Sequence, residues 1–154
     1  MYKKTLFVLV GVLCLFAFTG CGSSSGSLSC EKVTTDEDGY KVTDTINVTY
    51  KNNKVTNVEN INLTEMDPST VDMTISFANL FTSALNEVSG MNVQYSKEND
   101  TTVKYIMTVD YNELDIDALK ETFGDDFDEE SFYSSKDITI DEFKEKNLTD
   151  YTCQ

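Results

Sequence analysis

Two runs of alternating apolar and polar residues, joined by a short polar segment, constrain the fold of this chain more than any other feature. Residues 40–50 place Tyr, Val or Ile at almost every second position, and residues 55–63 repeat the pattern less regularly. Such alternation is typical of strands with one buried face. Lys51–Lys54 contains two asparagines, which tolerate the positive φ angles of a tight hairpin turn. A change of parity between Val55 and Val58 indicates a bulge in the second strand of this antiparallel hairpin.

A long amphipathic helix is predicted over residues 68–89. Asp67 suits the N-cap position and Pro68 the first helical position. Apolar residues then recur at spacings of three and four, and Gly90 stands where a helix C-terminal glycine belongs. The apolar stripe consists of Val71, Ile75, Ala78, Leu80, Phe81, Leu85 and Val88. We expect this stripe to pack in the core rather than to form a ligand groove.

Further strands and two short helices complete the predicted domain. In chain order they are strands at 28–35, 91–96 and 102–111 and helices near 117–123 and 140–146. Thr139 and Glu142 have the spacing of a capping box at the start of the last helix. Residues 28–154 therefore predict a single α+β domain. Its antiparallel sheet would have about five strands, made of a three-strand meander and a hairpin, with the long helix packed on one face.

The first 20 residues have the three parts of a secretory signal peptide. Lys3 and Lys4 precede an apolar run that ends at Phe18, and small residues follow before Cys21. The run is shorter than the roughly 20 apolar residues that a bilayer-spanning helix needs. We therefore predict that residues 1–20 are removed on export.

Residues 17–21, Ala-Phe-Thr-Gly-Cys, resemble the lipobox of bacterial lipoproteins, with phenylalanine at position 18 where leucine is usual. The resemblance implies cleavage before Cys21 and a diacylglycerol on its thiol. Residues 21–27 would then form the lipidated cysteine and a flexible Gly/Ser tether. The alternatives are an ordinary secretory leader with a chance cysteine, or an uncleaved anchor.

The composition excludes several classes of function. The chain has no Arg, His or Trp, so it has no Ser-His-Asp or Cys-His pair, no imidazole metal ligand and no guanidinium clamp for phosphate. Removing the leader takes two of the 12 basic residues and none of the 27 acids, which leaves a net charge near −17. Such a charge repels nucleic acid and anionic lipid head groups. We predict a non-enzymatic protein with no nucleic-acid partner and no cofactor.

Two cysteines remain in the predicted domain, near its two ends. Cys30 and Cys153 are expected to form a disulfide, because exported proteins fold in an oxidising compartment. The alternatives are a pair of free thiols or part of a metal site. The wide separation of the two residues and the lack of histidine speak against a zinc site.

Two groups of carboxylates are candidate metal ligands. Asp110, Asn112, Asp115 and Asp117 form an oxygen-rich group at a predicted strand-to-helix junction, and residues 125–130 include five acids. Calcium prefers such hard oxygen ligands. Helix capping and turn formation explain the first group as well, and a solvated acidic loop explains the second, which lacks the pattern of an EF-hand. We therefore assign no metal site.

Short motifs along the whole chain resemble a known family. The strand pair around Val48–Val55, the Val109–Tyr111 segment and the ending Tyr151–Cys153, together with the lipobox and the long helix, resemble the YehR-like family of small bacterial lipoproteins. The C-terminal Tyr-Thr-Cys is similar to that of Gram-positive members. The resemblance implies an α+β domain with an antiparallel sheet and transfers no site residues, because the function of the family is not established.

These observations predict where the protein resides more sharply than what it does. We expect an exported lipoprotein anchored through Cys21 to the outer face of the cell membrane of a Gram-positive bacterium. Its expected role is that of a binding or envelope-accessory module for a protein or a small molecule. The alternative is a carboxylate-based calcium-binding protein or a hydrolase.

Overall fold

The computed structural model describes residues 24–124 and 137–154. The predicted leader, the lipidation site Cys21 and the acidic run at 125–130 lie outside these ranges. Within them the chain forms one α+β domain with six strands and three helices. The strands are β1 (Gly26–Thr35), β2 (Lys41–Lys51), β3 (Lys54–Glu65), β4 (Met91–Asn99), β5 (Thr102–Asp110) and β6 (Thr152–Cys153). The helices are α1 (Pro68–Asn86), α2 (Ile116–Phe123) and α3 (Ile140–Asn147).

All six strands belong to one antiparallel sheet in the order β4-β5-β3-β2-β1-β6. The predicted meander and hairpin are both confirmed. Asn52 and Asn53 have φ angles of 55° and 65°, as the tight turn between β2 and β3 requires. The register shifts where Thr49 pairs with Asn57 and Tyr50 with Val55, which is the predicted bulge.

The first strand begins two residues before the predicted domain boundary. Ser27 pairs with Thr49 and Gly26 with Tyr50, so these two residues belong to the sheet rather than to the Gly/Ser tether. Gly26 lies against the ring of Tyr50, since a Cβ at this position would be 2.8 Å from the Tyr50 hydroxyl and would displace it.

The predicted count of about five strands is one too low, because the last residues add a sixth. Cys153 lies opposite Cys30 at a Cα–Cα distance of 4.0 Å, and the two cysteines form the predicted disulfide. Ser29 and Gln154 exchange backbone hydrogen bonds beside it. The disulfide predicts that residues 151–154 lie beside the first strand, as they do. A two-residue strand has no recognisable alternation, so the sequence does not predict that they count as a strand.

One face of the sheet carries the helices and the core. The residues of the strands that point to this face and are almost fully buried include Val48, Val58 and Val109, which are at most 1% exposed. α1 packs chiefly on β4, and α3 contacts β3. Phe143 of α3 and Leu114 and Leu119 around α2 fill the space above these valines.

The long helix is shorter than predicted and buries only part of the predicted stripe, since Val71 and Val88 are buried and Ile75, Ala78 and Leu85 are half-buried. α1 ends at Asn86, with Glu87 as its C-cap, rather than at residue 89. Val71 and Thr82 are its buried residues, whereas Leu80 and Phe81, both expected in the core, are 72% and 61% exposed. Because α1 covers only the β4 side of the sheet, the sheet buries only some of the apolar residues around the helix.

The side chain of Asn86 explains where the helix stops. Its amide oxygen accepts from the Val93 backbone N–H at 2.6 Å, and its amide nitrogen donates to the Val93 carbonyl at 2.9 Å. The amide therefore takes the place of a neighbouring strand at the open edge of β4, which protects that edge from pairing with another chain.

Gly90 serves the turn after the helix rather than the helix end itself. Its φ is +80°, and a Cβ there would lie 2.4 Å from the Leu114 backbone nitrogen. The turn between α1 and β4 thus packs directly on the segment between β5 and α2, an approach that glycine alone allows.

All three helices of the described ranges begin at side-chain caps that the sequence offers. Asp67 accepts a hydrogen bond from the Ser69 backbone N–H, and Asp115 accepts from Ala118. Thr139 and Glu142 form both bonds of the predicted capping box. These caps confirm the helix starts.

Candidate functional site

The helix-bearing face of the sheet is covered over only part of its area. α1 lies over β4, and α3 lies over the hairpin end of β3, so the surface between them is open. The inward-facing residues of β3 change at this border from Val58, which is buried, to Asn60 and Asn62, which are half-buried. We call this open surface the sheet cleft.

Three adjoining cavities make up the sheet cleft. One of about 380 Å³ lies beside α3, one of about 320 Å³ lies beside the first half of α1, and one of about 300 Å³ lies under its second half. Tyr105 lines all three, which makes them parts of one depression. The other lining residues include Asp44, Asn60, Asn62, Thr64, Phe77, Phe81, Tyr95, Phe143, Asn147 and Tyr151.

The end of the cleft beside α3 is organised around the carboxylate of Asp44. Asn60 donates to one of its oxygens at 2.6 Å, and the Tyr151 hydroxyl donates to the other. Lys32 lies 5.8 Å from the centre of the Tyr151 ring and forms a 3.2 Å ion pair with Asp150. The charge of Asp44 is therefore already engaged by donors of the chain itself.

The middle of the cleft is aromatic. The rings of Tyr95 and Tyr105 are 4.9 Å apart with an interplanar angle of 47°, and Phe77 and Phe81 of α1 form a second ring pair at 4.9 Å. Tilted contacts of this kind hold rings in fixed orientations. Thr64 donates to Asn62 at 2.6 Å beside them, so the polar groups are fixed as well.

Two tyrosines of the cleft, Tyr95 and Tyr151, stay protonated at physiological pH. Burial of the phenol, and then its hydrogen bond to the Asp44 carboxylate, raises the pKa of Tyr151 well above its ordinary value. Burial also raises the pKa of Tyr95. Both hydroxyls therefore remain neutral hydrogen-bonding groups rather than acids or bases.

Apart from the engaged Asp44, the residues lining these three cavities are uncharged. Such a lining offers ring faces, amide donors and acceptors, and hydroxyls. It offers no paired general acid and base and no activated nucleophile. Such groups can make stacking contacts with an uncharged molecule and can form hydrogen bonds to it.

The strand-to-helix group predicted as a weak metal candidate has structural roles. Asp110 accepts from the backbone and side-chain nitrogens of Asn112, at 2.9 Å and 3.0 Å, and so forms the turn after β5. Asp115 caps α2, and Asp117 lies exposed in its first turn. Among residues 24–124 and 137–154, no three Asp, Glu or Cys side chains come together as a metal site would require. The acidic run at 125–130 lies outside the described ranges.

The apolar pattern of the strands does not predict the cleft, although one signal for it is present in the sequence. Asp44 interrupts the first alternating run at an inward-facing position, and Asn60, Asn62 and Thr64 occupy inward-facing positions of β3. Polar residues at positions where alternation predicts a core mark a sheet surface that the helices leave uncovered.

Comparison with known proteins identifies the fold and nothing beyond it. No model of a protein family matches the sequence, and no curated protein does. An NMR structure of a protein from Streptococcus pneumoniae TIGR4 is similar with a TM-score of 0.58 and 12% identity, over 100% of this chain and 97% of that one. The NMR structure of the E. coli YehR protein is similar with a TM-score of 0.56 and 16% identity, over 82% of this chain and 87% of that one.

These two similarities show that the domain has a fold of the YehR type, as the short motifs predicted.

No helix in the described part of the chain is long and apolar enough to cross a membrane. The lipid anchor at Cys21 stays a prediction.

Proposed function

We propose that this protein is a non-enzymatic binding module, held outside the cell membrane by lipid on Cys21, and that the sheet cleft is its binding site. The observation that carries the proposal is the change from buried valine to half-buried asparagine along the inward face of β3. A sheet surface that another element covers would continue with apolar residues, because burying an unpaired amide costs free energy.

The lining indicates the kind of ligand. An acidic protein would repel an anionic ligand, and a cationic ligand would need a carboxylate that is not already engaged, as Asp44 is. Ring faces beside amide groups suit an uncharged molecule that has an apolar face and carries hydroxyl or amide groups. The cavities have the size that small-molecule sites usually have, roughly 300–1,000 Å³.

The cleft can be tested by NMR titration of a chain that starts at Gly22. The probes are a tetramer of N-acetylglucosamine and an uncharged tetrapeptide blocked at both ends. We expect one of them to shift the side-chain amide signals of Asn60 and Asn62, and the double variant Asn60→Leu/Asn62→Leu to lose the response to it. The titration would count against the cleft if neither probe shifted these signals, or if the double variant bound as well as the parent.

The anchor is tested separately by mass spectrometry of the protein from its native host. We expect a mature N-terminus at Cys21 that carries diacylglycerol. An intact Met1, or an unmodified Cys21, would remove the anchor and leave the cleft experiment unaffected.

A further inference from the structure

The outward face of α1 carries a large apolar surface with no covering element in the described part of the chain. Met73, Phe77, Leu80 and Phe81 are 67%, 63%, 72% and 61% exposed. At 100° per residue these four positions fall within about a third of the helix circumference. We call this surface the helix patch.

The helix patch is uncharged in a strongly acidic protein. Asp72 is the one charged residue of α1, and Lys97 lies 3.8 Å from its carboxylate. The chain as a whole has a net charge of −15. A surface that meets solvent alone would be expected to carry its share of that charge, so the helix patch has the composition of an interface.

The helix patch can supply the apolar centre of an interface. Aromatic side chains bury roughly 150–250 Å² each, so Phe77 and Phe81, both more than three-fifths exposed, offer about 250 Å², and Met73 and Leu80 add to it. A standard interface buries about 800 Å² on each partner, so the residues that flank the patch would supply the rest. The adjoining Ser76, Ser83 and Ala84 are small enough to let a second helix approach closely.

We infer that the helix patch is the interface of a homodimer, in which α1 packs against α1 of a second copy across a two-fold axis. Two identical uncharged surfaces meet without bringing like charges together, which matters when both copies are acidic. Lipid is a poorer occupant, because interfacial helices that bind membranes flank their apolar face with Lys or Arg, and α1 has neither. The dimer does not require the ligand proposed for the sheet cleft, although Phe77 and Phe81 line both the helix patch and the part of the cleft under the second half of α1.

The test is analytical ultracentrifugation of a chain that starts at Gly22, over a range of concentrations. We expect a dimer whose dissociation constant rises at least about 30-fold in the Leu80→Glu variant, as for a central interface residue. Val33→Glu is the matched control, because Val33 is another exposed apolar residue, 49% exposed, on β1. Raising the salt concentration should tighten the dimer, since it screens repulsion between acidic copies. A basic partner protein would show the opposite dependence.

Crosslinking tests the same interface in the full-length protein on cells. Under mild oxidation, Leu80→Cys should give a dimer linked by a disulfide, and Val33→Cys should not. A monomer at every concentration, a dimer that Leu80→Glu leaves unchanged, or a monomer that floats with phosphatidylcholine vesicles through this helix would overturn the inference.

Discussion

The two halves of the helix-bearing sheet face are built from the same strands, and yet one half is covered and excludes water while the other stays open to it. At the hairpin end, Val48, Val58 and Val109 lie at most 1% exposed beneath α3 and the β5–α2 segment. At the other end, Asn60 and Asn62 continue the same inward-facing row of β3 but stay half-buried. Alternation determines which side of a strand faces inward. The residue type then determines whether that side can be covered.

The difference follows from the cost of burying polar groups. Among the described residues, no buried side-chain nitrogen or oxygen lacks a hydrogen-bond partner. A helix laid over Asn60 and Asn62 would remove water from their amides without supplying partners for all of them. The open half is therefore stable as an open surface. The cost of burying its amides without hydrogen-bond partners is avoided as long as water or a ligand can reach them.

The largest expected effect comes from removing the side chain that covers the closed half. Phe143→Ala should lower the free energy of unfolding by about 3–5 kcal/mol, because Phe143 is 1% exposed and its loss leaves a cavity. Phe81→Ala, on the exposed helix patch, should cost less than about 1 kcal/mol in the monomer. Urea unfolding at low protein concentration measures both. Similar losses of unfolding free energy for the two variants would contradict the division between a closed half of the sheet face and surface that stays exposed.

A reciprocal exchange on β3 sharpens the comparison further. Val58→Asn should cost about 3 kcal/mol, because it places an amide in the closed half without partners. Asn60→Val should change stability by no more than about 1 kcal/mol, since it removes one hydrogen bond to Asp44 and adds apolar surface to an open site. Thermal and urea unfolding of the two variants would show this asymmetry, and equal costs would mean that both positions are equally enclosed.

The smallest expected effect concerns the open half in alkaline solution. The pKa of Tyr151 is raised in the folded protein, so its contribution to stability is complete below the ordinary tyrosine pKa of about 10 and is lost as pH rises beyond it. Tyr151→Phe should therefore lose less stability than the parent between about pH 9 and pH 11. Unfolding midpoints at several pH values provide the measurement, and parallel curves for the two proteins would remove the linkage between Tyr151 and Asp44.

The sequence was most informative where local chemistry decides the structure. The Asn52–Asn53 turn, the bulge before Val58 and the caps at Asp67, Asp115 and Thr139 depend on backbone groups a few residues away. The Cys30–Cys153 disulfide was predicted from composition and compartment rather than from geometry. These features require no knowledge of which elements become neighbours.

The sequence was least informative where the structure depends on how much of one element is covered by another. Phe81 belongs to an apolar stripe at helical spacing, and a stripe cannot reveal how much of it a sheet will cover. Since α1 lies near the β4 edge, part of its stripe faces outward and part overhangs the sheet cleft. The cleft itself requires the relative positions of α1, α3 and β3, which depend on long-range packing.

The Cys30–Cys153 bond also has a mechanical consequence. A protein held at the membrane through Cys21 and pulled at Gln154 would carry the load through the few residues before Cys30, across the sulfur–sulfur bond and out through the last residue. The rest of the domain would lie outside that path. Stretching the chain from its two ends would leave the cleft and its helices unstrained, whereas reducing the disulfide would place the entire sheet in the line of force.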